Sequence, residues 1–246
     1  MTVVCVIPAR YGSTRFEGKP LVEICGKVMI QRVYEQVKKA KLIDEIYIAT
    51  DDDRIKSKSE SFGAKVIMTS KKHRCGTDRI AEAIQKIDGD IIINVQGYEP
   101  LIEPEALDAV LKPMLKDSSL NMATLITPID DKKEFDDKNV AKVVIDKDNF
   151  VLYCSRNLIP YSRDNDSTTV FKQIGVYVFR REFLIKFSNM EQTPCEKVEK
   201  LEQLRALENG YKLKAIETKY HPIGVDIPED IKKIEDILKE RGSQCA

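Results

Sequence analysis

The chain has no tryptophan and only two histidines, His73 and His221, among its 246 residues. Two histidines cannot build a His-rich zinc centre, and the six cysteines, at 5, 25, 75, 154, 195 and 245, offer no CxxC pair in their place. There is no excess of charge either. The 40 basic residues balance the 40 acidic ones, so no global field steers the chain toward nucleic acid or an anionic membrane. The apolar runs are short and fall far below the ~20 residues of a membrane-spanning helix. "MTVVCVIPAR" goes straight into a strand with no basic leader, which predicts no signal peptide. The cysteines are accordingly expected to be reduced thiols of a cytoplasmic protein, several of them small core residues. A catalytic thiol would need a nearby histidine, and His73, two residues before Cys75, is the suggestive pairing.

What the chain does contain is alternation. "TVVCVIPA" is a continuous apolar run, as in a parallel strand covered on both faces. "PLVEICGKVMIQRVYEQVKKAK" follows, with Ile30, Val33, Tyr34 and Val37 at helical spacing. Strands are expected at "DEIYIATDD", "AKVIMTS" and "GDIIINVQG". Helices are expected at "RIKSKSESFG", "GTDRIAEAIQKID" and "EPEALDAVLKPMLKD". The second half changes style. "MATLITPI" and "AKVVIDKDNFVLYCSR" are β-rich, the latter with a turn around Asp146 to Asn149. "FKQIGVYVFRREFLIKF" passes from strand to helix. "KVEKLEQLRALENG" sets Val198, Leu201, Leu204 and Leu207 on one face, with Gly210 as a stop. "KLKAIETKYH" reads as a late strand, and "IPEDIKKIEDILKERG" as a terminal helix with Pro228 in its opening turn. "SRDNDSTTVF" is the most loop-like stretch. The class is α/β, with a mostly parallel sheet first and a smaller mixed β insertion after it.

"IPARYGSTRFEGKP" follows the first strand directly and carries the chemistry. Arg10, Arg15 and Lys19 surround Gly12, Ser13 and Gly18, and backbone N–H groups with fixed cations after strand one make a phosphate cradle. The loop is neither GxGxxG nor GxxxxGK[ST], so neither a dinucleotide fold nor a P-loop ATPase is indicated. Two guanidiniums and an ammonium suit a triphosphate.

The ordered set "IPARYGSTR…GKPL", "ATDDDRI", "HRCGTDR", "VLYCSR", "IGVYVFRREFL", "LEQLRALENG" and "GVDIPEDI" resembles the 3-deoxy-manno-octulosonate (Kdo) cytidylyltransferases over nearly the whole chain. The resemblance implies a Rossmann-like nucleotidyltransferase fold, three-layered and mostly parallel, with an inserted mixed β region for sugar binding and dimerisation. On that expectation residues 1–246 form one nucleotidyltransferase domain, its core about 1–120 and 211–246 and the inserted region about 121–210. It also implies Mg²⁺-dependent attack of a sugar hydroxyl on the α-phosphorus of CTP, releasing pyrophosphate. The expected partners are CTP, an acidic sugar and a second copy of the chain.

Residue by residue, the resemblance makes Arg10, Arg15 and Lys19 catalytic, and adds Ala9, Ser13, Thr77, Asp78 and Arg79 to the nucleotide side. The local alternative for "GTDR" is a helix N-terminus with Thr77 as cap and Asp78 on the dipole. Asp226 in "GVDIPED" is implied as the metal ligand, and the local alternative is an N-cap aspartate. Gln96, Tyr98, Arg156, Gln173, Tyr177, Glu202 and Gln203 are implied on the sugar side. Locally, Arg156 reads as a strand-end cation, Tyr177 as a core-edge aromatic, and Glu202 as the exposed helical partner of Arg205.

Three positions depart from the family's pattern. "VQGYEP" carries Tyr98 where the pattern has the metal-binding aspartate, and a neutral phenol is a poor Mg²⁺ ligand. Cys75 and Gln173 stand where serine and histidine are usual. Three accounts stand side by side. The metal is held by Glu99 or Asp226 with help from the triphosphate, or the pocket is rebuilt for another 2-keto-3-deoxy acid, or the chain binds nucleotide or sugar and catalyses weakly.

Overall fold

The computed structural model describes residues 1–12, 16–73, 75–164 and 168–242. The chain divides into two compact units, Met1–Asp108 with Pro222–Ala246, and Ala109–His221.

The first unit is built on a parallel sheet. β1 (Val3–Ala9) lies between β4 (Glu45–Thr50) and β6 (Ile91–Val95), and β5 (Lys65–Met68) pairs with the outer side of β4. A strand bonded on both edges and covered on both faces has no polar side to show, and β1 and β6 are buried almost throughout. Before the first crossover helix, the chain forms the small hairpin β2 (Glu23–Ile24) and β3 (Lys27–Val28). The helix expected from Pro20 onward therefore begins late, as α1 (Met29–Val37), because Gly26 at φ 72° turns the chain within the hairpin. α2 (Asp53–Ser61) has Asp52 as its cap, accepting from Arg54 N–H at 2.9 Å, and Gly63 at φ 84° ends it. α3 (Gly76–Ala83) follows, and the division after Asp108 falls within the next helix, α4 (Pro104–Lys116).

The second unit has the antiparallel pair β7 (Met122–Pro128) and β10 (Phe171–Arg180) at its centre. The hairpin β8 (Lys142–Ile145) and β9 (Val151–Ser155) turns where expected. Asn149 is at φ 58°, and Asp146 Oδ1 accepts from the N–H groups of Asp148 and Phe150 at 2.9 and 2.8 Å. β10 continues into α5 (Arg181–Ser188). β11 (Leu213–Glu217) runs parallel to β7. α8 (Asp230–Glu240) belongs to the first unit.

"KVEKLEQLRALENG" does not form one helix. It gives α6 (Pro194–Glu199) and α7 (Gln203–Glu208), separated where Lys200 adopts the left-handed conformation at φ 55°. The break resets the helical phase. Val198 is 83 % exposed while Leu201 and Leu204 are buried, so the four residues do not share a face. Pro228 likewise precedes α8 instead of opening it, and Glu229 occupies the cap position.

Candidate active site

Ala9 ends β1 buried, and Arg10 next to it is exposed. Gly18 closes the loop that follows, with φ 69° and its N–H donating to Tyr11 O at 2.9 Å. It delivers Lys19 as the first residue of a short 3-10 helix, Lys19–Leu21. Ser13 and Arg15, two of the expected phosphate-loop residues, lie outside the described residues. Lys19 Nζ donates to Val225 O at 2.8 Å, stands 3.4 Å from Asp226 Oδ1, and lies 4.5 Å from the centroid of the Tyr98 ring. Lys19, Tyr98 and Asp226 are thus one cluster.

Asp226 sits four residues ahead of the first residue of α8, so it is not that helix's N-cap, as its local reading proposed. Instead Asp230 Oδ2 accepts from the N–H groups of Asp226 and Ile227 at 2.7 and 3.0 Å. This fixes the backbone and leaves the Asp226 side chain half exposed beside Lys19. Among the described residues no three His, Cys, Asp or Glu side chains converge as a metal cage. One half-exposed carboxylate fits a magnesium ion that takes most of its oxygens from water and substrate phosphates, and does not fit a protein-caged ion.

Two glycines let the backbone close up around the ends of β1 and β6. A Cβ on Gly97 would come within 3.0 Å of Pro8 O, and one on Gly76 within 3.1 Å of Pro8 Cγ. α3 starts at Gly76, and its cap is Cys75, whose Sγ accepts from Asp78 N–H at 3.4 Å. The expected cap, Thr77, lies inside the first turn and is buried. Arg79 is buried, its Nη2 2.8 Å from Asp51 Oδ2 and its Nη1 bonded to Thr69 Oγ1, so it ties the end of β4 to the end of β5. Gln96, just past β6, donates to Asn94 Oδ1 at 3.4 Å.

In the second unit, three of the residues expected on the sugar side, Tyr177, Gln203 and Gln173, share a directed chain of hydrogen bonds. Tyr177 O–H donates to Gln203 Oε1 at 3.1 Å, and Gln203 Nε2 donates to Gln173 Oε1. Gln173 Nε2 donates to Thr124 Oγ1 at 3.1 Å, and Thr124 donates to Val176 O at 2.9 Å. The last acceptor belongs to an irregularity of β10 between Ile174 and Tyr177, which brings Gln173 and Tyr177 toward the same partners. Arg156 takes a different place. It donates to the carbonyl oxygens of Glu199, Lys138 and Asn139 at 2.9, 2.8 and 3.3 Å, binding the end of β9 to the end of α6 and to the loop before β8. Arg205 is buried and pairs with Glu196, so it is not the exposed helical cation its spacing from Glu202 suggested.

The cysteines supply no catalytic thiol among the described residues. His73 Nε2 meets Glu82 Oε2 at 2.5 Å while Cys75 caps α3, so the two residues serve separate local purposes. Burial pushes the Cys5 thiol up, and lifts that of Cys154 to about 12. Cys5, Cys75, Cys154 and Cys195 are free, as expected, whereas Cys25 is disulfide-bonded, against the expectation of reduced thiols throughout.

Sequence reasoning missed Val225, which acts through its carbonyl oxygen and so carries no side-chain signal. It also missed Thr124, Asp51 and Glu199, whose roles depend on partners 28 to 49 residues away.

A family model described as "Cytidylyltransferase" matches residues 4–219. The 3-deoxy-manno-octulosonate cytidylyltransferase of Geotalea daltonii is 49% identical, covering 98% of this chain and 100% of its own length. The enzyme of that name from Fusobacterium nucleatum is 47% identical, with 98% of each chain covered. Among solved structures, a CMP:2-keto-3-deoxy-manno-octonic acid synthetase complexed with CTP is similar at a TM-score of 0.94 and 38% identity. The match covers 98% of this chain and 100% of the synthetase. A cytidylyltransferase from Leptospira borgpetersenii, 17% identical with a TM-score of 0.66, shares the fold.

Proposed function

The chain belongs to the 3-deoxy-manno-octulosonate cytidylyltransferase family, and from that membership we propose that it transfers CMP from CTP to the anomeric hydroxyl of Kdo or a closely related acidic 3-deoxy sugar. A bond forms between the sugar oxygen and the α-phosphorus, the bond from that phosphorus to the β-phosphate bridge breaks, pyrophosphate leaves, and the hydroxyl gives up its proton. The observation that carries this reading is the near-complete likeness to a synthetase complexed with CTP.

In this reading Arg10, Arg15 and Lys19 hold the triphosphate, with Ala9, Ser13, Thr77, Asp78 and Arg79 on the nucleotide side. Lys19 is already held in place by Val225 O, Asp226 and Tyr98, which favours a fixed cation over a solvated one. Asp226 would hold Mg²⁺ together with substrate phosphates. Bound there, the ion would offset negative charge on the transferring phosphoryl group. Gln96, Tyr98, Arg156, Gln173, Tyr177, Glu202 and Gln203 complete the reading on the sugar side, and Tyr177, Gln203 and Gln173 already share one hydrogen-bond chain. A cytoplasmic homodimer is part of the same reading. Light scattering in solution tests the dimer, and cell fractionation tests the location.

A second acceptor class is favoured by one observation. Gln173 is a neutral amide already bonded to Gln203 and Thr124, so it brings no positive charge toward a sugar carboxylate. One assay separates the two: pyrophosphate release from CTP and Mg²⁺ with Kdo and a panel of related 2-keto-3-deoxy acids. Kdo-dependent release is expected. Release with another acid alone moves the specificity, and silence with every acceptor overturns the transferase reading.

A further inference from the structure

Tyr98 is anchored from two sides. Its carbonyl oxygen accepts from Val225 N–H at 2.9 Å, and its ring packs on the apolar cluster that includes Ile24, Leu101, Val225 and Ile234. Gly224 fits the ring closely, since a Cβ there would come within 3.3 Å of Tyr98 Cδ2. The ring is therefore a fixed surface. Lys19 lies over it with Nζ 4.5 Å from the centroid, its side chain only 13 % exposed. The Lys19 ammonium and the Tyr98 carbonyl also meet at one residue, because Val225 accepts from the first through its C=O and donates to the second through its N–H.

We propose that Tyr98 is a positioning residue, whose ring face fixes the Lys19 ammonium at the nucleotide's triphosphate subsite. The nucleotide half of this proposal rests on the function proposed above, and the geometric half does not. An aromatic face attracts a cation through its quadrupole while carrying no charge of its own. Lys19 and Asp226 together are formally neutral at pH 7. With no metal bound, a carboxylate in place of the ring would leave that trio at minus one, facing an anionic substrate. A tyrosine thus holds a flexible lysine in one place without cancelling its charge. This also answers why an aromatic residue follows Gly97 at the end of β6: the position serves the lysine, reached across 79 residues of sequence from Lys19 to Tyr98.

The test uses Tyr98→Phe, which keeps the ring, and Tyr98→Leu, which keeps apolar volume in the cluster and loses the π-face. In carbon-edited proton NMR of ¹³C-lysine protein, the Lys19 ε-methylene protons are expected to be shifted upfield by the ring in wild type and Tyr98→Phe, and to lose that shift in Tyr98→Leu. An unchanged resonance in Tyr98→Leu overturns the positioning role. Calorimetric titration with CTP, without divalent metal, supplies the second reading. Tyr98→Phe is expected within about twofold of wild type, and Tyr98→Leu weaker by roughly two- to thirty-fold. Tyr98→Asp should bind more weakly than Tyr98→Leu. In a Lys19→Ala background, Tyr98→Leu should cost nothing more, because the ring acts through the lysine. A full second loss in that background overturns the proposal. Wild-type protein that binds no CTP overturns the nucleotide half alone, and the methylene shift then decides the geometric half.

Discussion

Arg205 and Glu196 form an ion pair with almost no access to water: Nε donates to Oε2 at 2.9 Å, and the side chains are 6% and 4% exposed. Arg205 also donates to Phe187 O at 3.2 Å and lies 4.7 Å from the Phe187 ring centroid. Removing one partner strands the other charge in a poorly solvated place. Arg205→Ala is expected to cost about 3–5 kcal/mol of stability, and Glu196→Ala a similar amount. The double change Arg205→Met with Glu196→Leu should cost far less than the sum, because no charge is left unpaired. Urea unfolding of the four proteins checks the pattern.

Cys75 caps α3 with a sulfur 3.4 Å from Asp78 N–H, and a thiol sulfur is a weak acceptor. Cys75→Ser places a better acceptor at the same cap. It is expected to stabilise the protein by roughly 0.5–1 kcal/mol, a rise in Tm of about 1–4 °C. A lower Tm in thermal unfolding contradicts the capping role.

Arg54 bonds Asp52 through Nε and Nη2 at 2.9 and 2.7 Å, and this contact holds the Asp52 carboxyl below the usual carboxylate range. The folded pKa is depressed, so the ionised form contributes stability that is present above the unfolded value near ~3.9. That contribution is lost as pH falls through the lower folded value. Arg54→Ala should therefore move the Asp52 midpoint upward and make the acid-side loss of stability begin at higher pH. NMR titration of the Asp52 carboxyl carbon in both proteins measures the shift directly.

Gln203 joins Tyr177 to Gln173 in the second unit. Gln203→Leu leaves the Tyr177 hydroxyl and the Gln173 carbonyl oxygen without this partner, at an expected cost of about 1–3 kcal/mol. If the chain orients the acceptor sugar, KM for that sugar should rise at least several-fold while CTP affinity holds. Steady-state kinetics with each substrate varied separately would show the split, and equal losses for both substrates would contradict it.

Much of the fold was legible because it follows from local rules. The unbroken apolar run of β1 predicts a strand covered on both faces, and β1 is paired on both edges and buried. Asp146 and Asn149 predict the turn between β8 and β9 through side-chain bonds to nearby backbone. Helix phase was less secure. Leu201, Leu204 and Val198 share a periodicity on paper, and a single left-handed residue, Lys200, separates them. The cap of α3 was also misplaced, because threonine is the more frequent cap and a cysteine in that role gives no conventional signal.

The strand–helix alternation, the cation- and glycine-bearing stretch after β1 that ends at Lys19, and the set of motifs that marks the family all follow from the sequence. Each is written in neighbouring residues, whose spacing and side-chain chemistry act over a few turns of chain. What Lys19 meets depends on how the chain folds. Its carbonyl partner, Val225, lies 206 residues away, and its aromatic partner is Tyr98. The fold also decided that Arg205 is buried and that Arg79 ties two strand ends together. Such partners are brought together by topology, and a backbone oxygen or a buried charge pair leaves no periodic trace in the sequence that specifies it.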